Sequence, residues 1–174
     1  MDIVQIRERD LSAREAFHLS HRARECARPY NIVVLVNDRP DVAACAGIGV
    51  HLTTRSLAAQ VVRRTFGPDL IIGVSTHNLD EALEAEKGGA DFIVFGPVFD
   101  TASKRAYGTP VGLGALERVL SQVNLPVLGI GGVTAANFRS VISSGAAGIA
   151  GISMFVEAPD LSRLVREVKH VEDD

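Results

Sequence analysis

The residues able to do chemistry in this chain recur in one setting, at or just after the end of a short apolar run. Gln5, Arg7 and Arg9 close the run that starts at Ile3, and Asn37 and Asp38 follow Ile32–Val36. Ser75 and His77 follow Leu70–Val74, and Thr101, Ser103 and Lys104 come after Phe92–Phe95. Gly131 and Gly132 follow Val127–Ile130, and Ile152 and Ser153 end the run from Gly148. Arg7 and Arg9 are two apart, which on a strand sets both on one face with Gln5. Two inward guanidinium groups are costly without an anion, so they point to a phosphate or pyrophosphate, or else pair with Glu8 or Asp10. The run Leu128-Gly-Ile-Gly-Gly-Val-Thr134 lets backbone N–H groups approach an anion ahead of a helix N-terminus. A tight turn asks for the same glycines.

His77 has the side chain for a general acid or base near neutral pH, and His51, ending another run, is a second candidate. Asp38 is a candidate magnesium carboxylate. Lys104 lies in the polar stretch 100–108, readable as an anion clamp or as a solvated connection. No His, Cys and Asp grouping has structural-zinc spacing. Cys26 and Cys45 sit among small apolar residues and read as buried packing residues rather than nucleophiles.

These residues need elements to hold them. The apolar runs Ile3–Ile6, Ile32–Val36, Gly49–Leu52, Leu70–Val74, Phe92–Phe95, Val127–Ile130 and Gly148–Ile152 mostly lack alternation, as parallel strands covered on both faces do. Between them lie helical patterns at 12–27, 38–46, 54–66, 78–87, 112–122, 134–143 and 160–171. Ser12 and Glu15 form a capping-box pattern, and acids open 78–87 while Lys87 closes it. Gly47, Gly89 and Gly145 each stand where a helix should stop and a strand begin. Seven β/α units fit a doubly wound sheet or a TIM (β/α)8-type barrel short of one unit. Chemistry-bearing residues gathered after strand ends favour the barrel, whose active sites occupy that face.

The chain has 174 residues, 47% hydrophobic and 22% charged, which suits one globular domain and excludes disorder. A net charge of −3 offers no basic field for nucleic acid or an anionic membrane. Two cysteines exclude a disulfide framework and fit a reducing compartment. No apolar run is long enough to span a bilayer, and the N-terminus turns charged at once, so a cytoplasmic location is expected.

Taken in order, Gln5-Ile-Arg-Glu-Arg9, Asn37-Asp-Arg39, Gly49-Val-His-Leu52, Gly73-Val-Ser-Thr-His77, Gly96-Pro-Val-Phe99 with Thr101-Ala-Ser-Lys104, Gly129-Ile-Gly-Gly132 and Gly151-Ile-Ser153 resemble the thiamine phosphate synthase/TenI family from Gln5 to about Pro159. The resemblance implies one of two chemistries on a thiazole phosphate. The synthase joins hydroxymethylpyrimidine pyrophosphate to thiazole phosphate and expels pyrophosphate, with magnesium. The TenI-type tautomerase aromatises the thiazole phosphate precursor by proton transfer, without a metal. Carried onto this chain, Arg7 and Arg9 would hold phosphate oxygens, Asn37 the pyrimidine and Asp38 the magnesium. Ser75, Thr101, Ser103 and Lys104 would lie near the pyrophosphate, and Gly131, Gly132, Ile152 and Ser153 would cradle the thiazole phosphate. His77 matches the tautomerase acid/base.

Three departures shape the expectation. Arg9 stands where the synthase pattern usually has Lys, so Ile6-Arg-Glu-Arg9 looks closer to the tautomerase. Ser56 stands where the synthase has a second magnesium carboxylate. Family members open with a further strand and helix, whereas this chain starts inside the second strand. The reading favours the tautomerase, with the synthase and a non-catalytic phosphate-ligand binder as alternatives. It expects seven strands with an open edge beside Ile3–Ile6, which invites self-association.

Overall fold

A computed structural model describes residues 1–101 and 109–170. Its elements alternate as the sequence rhythm requires: β1 (Ile3–Ile6), α1 (Ala13–Ala27), β2 (Val33–Asn37), α2 (Pro40–Ala46), β3 (Gly49–Leu52), α3 (Ala59–Phe66), β4 (Ile72–Thr76) and α4 (Leu79–Lys87). There follow β5 (Phe92–Phe95), α5 (Leu113–Leu120), β6 (Val127–Ile130), α6 (Phe138–Ser143), β7 (Gly148–Ala150), α7 (Ser153–Val156) and α8 (Leu161–Lys169). The seven-stranded sheet runs β1 to β7 in chain order. A doubly wound sheet would reverse that order at a switch point, so the expected barrel-type topology holds.

The chain divides into two compact units, Met1–Ser75 with Ala85–Asp91, and Thr76–Glu84 with Phe92–Asp174. In the first, β1 pairs in parallel with β2, β2 with β3 and β3 with β4, so that Gln5 stands beside Leu35 and Asn37 beside His51. Its core combines Val34, Val36, Val50, Leu52 and Ile72 from the strands with Val42, Ala43 and Val62 from the helices. In the second, β5 pairs in parallel with β6 and β6 with β7. Phe95, Phe138, Ile93, Leu116, Val98, Val119 and Val127 are its largest wholly buried side chains.

Local signals acted where expected. Ser12 Oγ accepts the Glu15 N–H at 3.3 Å while the Glu15 carboxylate accepts the Ser12 N–H at 2.9 Å. The Ser12 hydroxyl, which donates to the Glu15 carboxylate at 2.6 Å, and then the Ser12 N–H hold that carboxyl below its ordinary pKa. Gly47, Gly89 and Gly145 each follow a helix with positive φ. Five expectations fail. The 54–66 helix begins only at Ala59, because the Ser56 hydroxyl accepts the Thr53 N–H and closes a turn ahead of it. The 134–143 helix is only α6, because residues 134–137 form a turn held by Asn137. The last strand stops at Ala150, so Ile152 and Ser153 open α7 instead. Arg7 and Arg9 lie beyond the end of β1 and are exposed, so neither guanidinium is inward-facing. Cys26 and Cys45 are exposed on their helices rather than buried.

Arg63 on α3 binds the turns that deliver two strands. Its Nη1 donates to the carbonyls of Gly67, Pro68 and Leu70 at 3.1, 2.8 and 2.6 Å. Nε and Nη2 donate to Gly89 O at 3.0 and 2.9 Å, and Nη2 also reaches Asp91 Oδ2 at 2.8 Å. The same carboxylate oxygen accepts the Ile72 N–H at 2.6 Å, at the first residue of β4. The planar five-donor fork suits this set, and a lysine would not. Arg63→Met should therefore lower unfolding free energy by about 2–4 kcal/mol in urea titration, since it leaves several acceptors unmatched. Arg63→Lys should recover less than half of that loss, and a loss below about 0.5 kcal/mol for Arg63→Met would show that water serves these acceptors equally well.

Candidate functional site

The ends of β1, β2, β3 and β4 share a continuous chain of side-chain hydrogen bonds. Gln5 Nε2 donates to Asn37 Oδ1 at 3.0 Å. His51 Nδ1 lies 2.7 Å from Gln5 Oε1, and His51 Nε2 lies 3.0 Å from Ser75 Oγ. The register explains why these four meet, since Asn37 is paired with His51 and both side chains share one face of adjacent strands. The His51 side chain is 7% exposed among the apolar strands. Desolvation, together with the positive charge of Arg7, pushes its pKa down to about 4, so the ring is neutral at pH 7. A conjugate acid that strong is a poor proton sink, so the Ser75–His51 pair is not an activated nucleophile.

Asp38 is exposed beside this chain. Its backbone takes φ 57°, a left-handed value that Asp tolerates better than most residues, and its N–H donates to His51 O at 2.9 Å. The next residue is committed elsewhere: Arg39 grips Asp41 with Nε at 3.0 Å and Nη2 at 2.7 Å. That fork holds the Asp41 carboxyl below its ordinary pKa and leaves Asp38 without the neighbouring guanidinium as a bonded partner. After β3, Ser56 Oγ accepts the Thr53 N–H at 2.8 Å and lies 3.1 Å from Thr53 Oγ1, which closes the turn. Among the described residues no three His, Cys, Asp or Glu side chains cluster as a metal site. The Asp38 carboxylate, with the Asn37 amide oxygen beside it in sequence, is of the hard-oxygen type that could hold magnesium whose other ligands come from substrate phosphate and water.

In the second unit, His77 is fixed by Glu81. Glu81 Oε2 accepts the His77 N–H at 2.7 Å and lies 3.0 Å from His77 Nδ1. Asn78 Nδ2 donates to Glu81 Oε1 at 2.9 Å, and Asn78 Oδ1 accepts the Glu81 N–H at 2.9 Å. The carboxylate thus takes Nδ1–H and turns Nε2 outward, the arrangement of an oriented acid/base. The β6–α6 turn is tight. Gly131 has φ 92° and a Cβ there would lie 2.5 Å from Pro97 Cβ, while at Gly132 (φ 64°) it would lie 2.5 Å from Asp100 O. These glycines are demanded by packing against the segment after β5, a requirement that stands whether or not the turn also holds an anion. Asn137 Nδ2 donates to Gly132 O at 2.9 Å and steadies the turn.

The structure therefore joins Asn37 and Ser75 in one network and sets Asp38 against it, while Gly131 and Gly132 pack beside the segment leading to Thr101. Ile152 is 65% exposed and Ser153 is exposed next to it. Ser103 and Lys104 lie outside the described residues. Sequence reasoning gave Gln5 no role beyond its face and missed Glu81, although His77 and Glu81 have the i, i+4 spacing that brings helix-start side chains together. A cleft of about 520 Å³ opens at the opposite, N-terminal ends of β2 and β3, lined by Arg24, Arg28, Ile32 and Gly49, and holds none of these residues.

Parallel strands in chain order with polar residues at their C-terminal ends define a TIM-barrel-like α/β protein. The chain belongs to the TMP-TENI family, described as thiamine monophosphate synthase, whose sequence model matches residues 1–155. It is 44% identical over 172 residues to a thiamine-phosphate synthase of Chlorobium phaeovibrioides, covering 96% of this chain and 82% of that protein. It is 39% identical over 169 residues to one of Moorella thermoacetica, covering 97% and 80%. A thiamine phosphate pyrophosphorylase from Pyrococcus furiosus superposes with TM-score 0.87 at 34% identity, covering 98% of this chain and 82% of that one. No helix among the described residues is long and apolar enough to cross a membrane.

The buried imidazole makes stability depend on pH. An unfolded His51 binds its proton near pH 6.5, the folded one only near pH 4. Between those values the unfolded state holds more protons, so stability rises with pH and is lost as pH falls from 6.5 towards 4. The loss should reach on the order of 1–3 kcal/mol in urea midpoints, and His51→Gln should flatten that part of the profile. An unchanged slope in His51→Gln would assign the pH dependence to other groups.

Proposed function

We propose that this chain is a thiamine phosphate synthase, which joins a hydroxymethylpyrimidine pyrophosphate to a thiazole phosphate and releases pyrophosphate. The observation that carries the reading is the 39–44% identity, along almost the whole chain, to proteins named for that reaction. It replaces the tautomerase preference drawn from Ile6-Arg-Glu-Arg9. In this reaction the bond between the pyrimidine methylene and pyrophosphate breaks, pyrophosphate leaves with the electron pair, and a bond to the thiazole ring forms. Asn37 orients the pyrimidine, and the Arg7 cation, close enough to act on His51, faces leaving-group charge. The Gly131–Gly132 turn, with Ile152 and Ser153, receives the thiazole phosphate, while Thr101, Ser103 and Lys104 serve the pyrophosphate. Family members depend on Mg2+, and Asp38 is the residue to hold it here. When bound, the ion neutralises charge on the pyrophosphate.

One assay tests the reading: thiamine phosphate formation and pyrophosphate release from the two substrates with and without Mg2+. Magnesium-dependent turnover is expected. Tautomerisation of a thiazole phosphate carboxylate without thiamine phosphate formation, or binding without turnover, would overturn it. Because Ser56 presents a hydroxyl where a second carboxylate would strengthen the ion's hold, half-maximal rate should need high Mg2+. Ser56→Asp should lower that requirement severalfold, and an unchanged Mg2+ dependence would remove Ser56 from the metal's surroundings.

The fixed His77–Glu81 pair favours a second reading, the tautomerase, since proton transfer needs an oriented imidazole. If that activity is measured, His77→Asn should lower its rate by about 10²–10⁴-fold. A rate within twofold of the parent would exclude His77 as the proton carrier.

A further inference from the structure

The cleft at the N-terminal ends of β2 and β3 lies wholly within the first unit. Its floor is apolar: Val34, Ala43, Ile48 and Leu70 line it and are each under a tenth exposed. Its rim carries Arg24 and Arg28 from the end of α1, Asn31 just after it, and Asp69 from the turn before β4. Arg63 holds that turn by donating from Nη1 to the Pro68 and Leu70 carbonyls on either side of Asp69, so this wall is set before anything binds. Arg24 forms part of the other wall. Its Cζ and Nη1 lie 3.3 Å from the place a Cβ at Gly47 would take, so the guanidinium rests against the end of α2 in room that glycine leaves. A cation at a helix C-terminus often serves the helix itself. Here the last carbonyls already have donors: the Ile32 N–H bonds Ala27 O at 3.4 Å, the Ile48 N–H bonds Ala43 O at 3.1 Å and the Gly47 N–H bonds Ala44 O at 3.4 Å. Among the described residues no carboxylate pairs with Arg24, and Glu25 reaches Arg28 only at 3.8 Å along the helix surface.

We propose that this cleft is a second ligand site, which takes an organic monoanion with an apolar body: its carboxylate on Arg24 and Arg28, its body on Val34, Ile48 and Leu70. The inference does not depend on the reaction at the other end of the strands. A volume of about 520 Å³ is in the range of sites that hold small organic molecules. The apolar floor favours the body, since covering it removes hydrocarbon surface from water. The guanidinium fork matches the two oxygens of a carboxylate, and their attraction strengthens where apolar atoms keep water away. Asp69 on the same rim repels a second negative charge, which disfavours dianions and polyphosphates, unlike the phosphate-bearing substrates proposed above. A bare inorganic anion would leave the floor against water. A neutral hydrocarbon would leave the guanidinium groups without a partner. A molecule with both parts uses both surfaces.

The test uses 2-naphthoate as the probe, 2-naphthylmethanol as its neutral counterpart and inorganic phosphate as charge without a body. Each is titrated into the whole chain and followed by amide chemical shifts. Naphthoate should saturate with a Kd on the order of 1 mM or below, a modest efficiency for a ligand of its size, and shift the amides of Asn31, Ile48 and Leu70. The alcohol should bind about tenfold more weakly, and phosphate should leave these amides unmoved. Arg24→Gln should weaken naphthoate about tenfold and leave the alcohol unchanged. Ala44→Phe, at an exposed helix position that lines the cleft, should abolish binding of both. If Ala44→Phe fails to fold, Arg24→Gln decides alone. Excess pyrophosphate should not displace naphthoate, and displacement would put the probe elsewhere and overturn the proposal. Equal affinities for naphthoate and the alcohol, an Arg24→Gln variant that binds as the parent does, or no saturable binding up to about 10 mM would also overturn it. Tyr30 is 74% exposed beside Arg28, so a second copy of the chain is the other occupant to test. Dimers in sedimentation that Tyr30→Ser dissolves, with naphthoate excluded from the parent, would replace the small anion by that copy.

Discussion

The imidazole of His51 is the point on which the polar ends of β1–β4 turn. A parallel strand between helices buries both its faces, so a polar side chain within it must find a partner inside the protein. His51 finds two, Gln5 and Ser75, and through Gln5 reaches Asn37. One buried ring thus ties the C-terminal ends of four consecutive strands. The arrangement is satisfied without a formal charge. Placing a charged residue at this position would add a desolvation penalty of several kcal/mol that one neutral hydrogen bond does not repay.

Charge is instead kept at the margin. Arg7 and Arg9 are exposed past β1, and Asp38 is exposed past β2. This division follows from the topology. Strand ends are the first places where backbone leaves the sheet, so a side chain one or two residues further on reaches water, while one inside the strand does not. A phosphate-bearing ligand can then meet solvated charges at its anionic end and a neutral, directional hydrogen-bond array at its heterocycle. Arg7 still acts on the buried ring, since its charge is part of what depresses the His51 pKa. The guanidinium thus opposes protonation of the ring, adding to the desolvation that keeps it neutral.

The strands were legible because burial on both faces leaves unbroken apolar runs, and β1, β3, β5 and β6 fall where those runs are. Their polar ends were legible for the same reason. Other features were not, and each failure has a local cause. Arg7 and Arg9 have strand spacing, but β1 stops at Ile6, and spacing has no meaning once pairing ends. Cys45 sits between Ala44 and Ala46, and small apolar neighbours cannot set the phase of a seven-residue helix whose buried face is Val42, Ala43 and Ala46. Ile152 and Ser153 continue an apolar run, yet the chain turns into α7 after Gly151. The partnership of Gln5 with His51 spans 46 positions, so only the register of β1, β2 and β3 reveals it.

The two histidines singled out by type differ for reasons that type alone does not contain. His77 is partly exposed, and its Nδ1 lies 3.0 Å from the Glu81 carboxylate, which fixes the ring's orientation. His51 is buried against an amide and a hydroxyl, which fix a tautomer but give no support to a positive charge. The first environment leaves one face of the ring open beside an anchoring carboxylate. The second keeps the ring neutral and out of water. A histidine after a strand end thus carries information about function only when its partners are known, and here a carboxylate anchors one ring at the surface while an amide and a hydroxyl hold the other inside the protein.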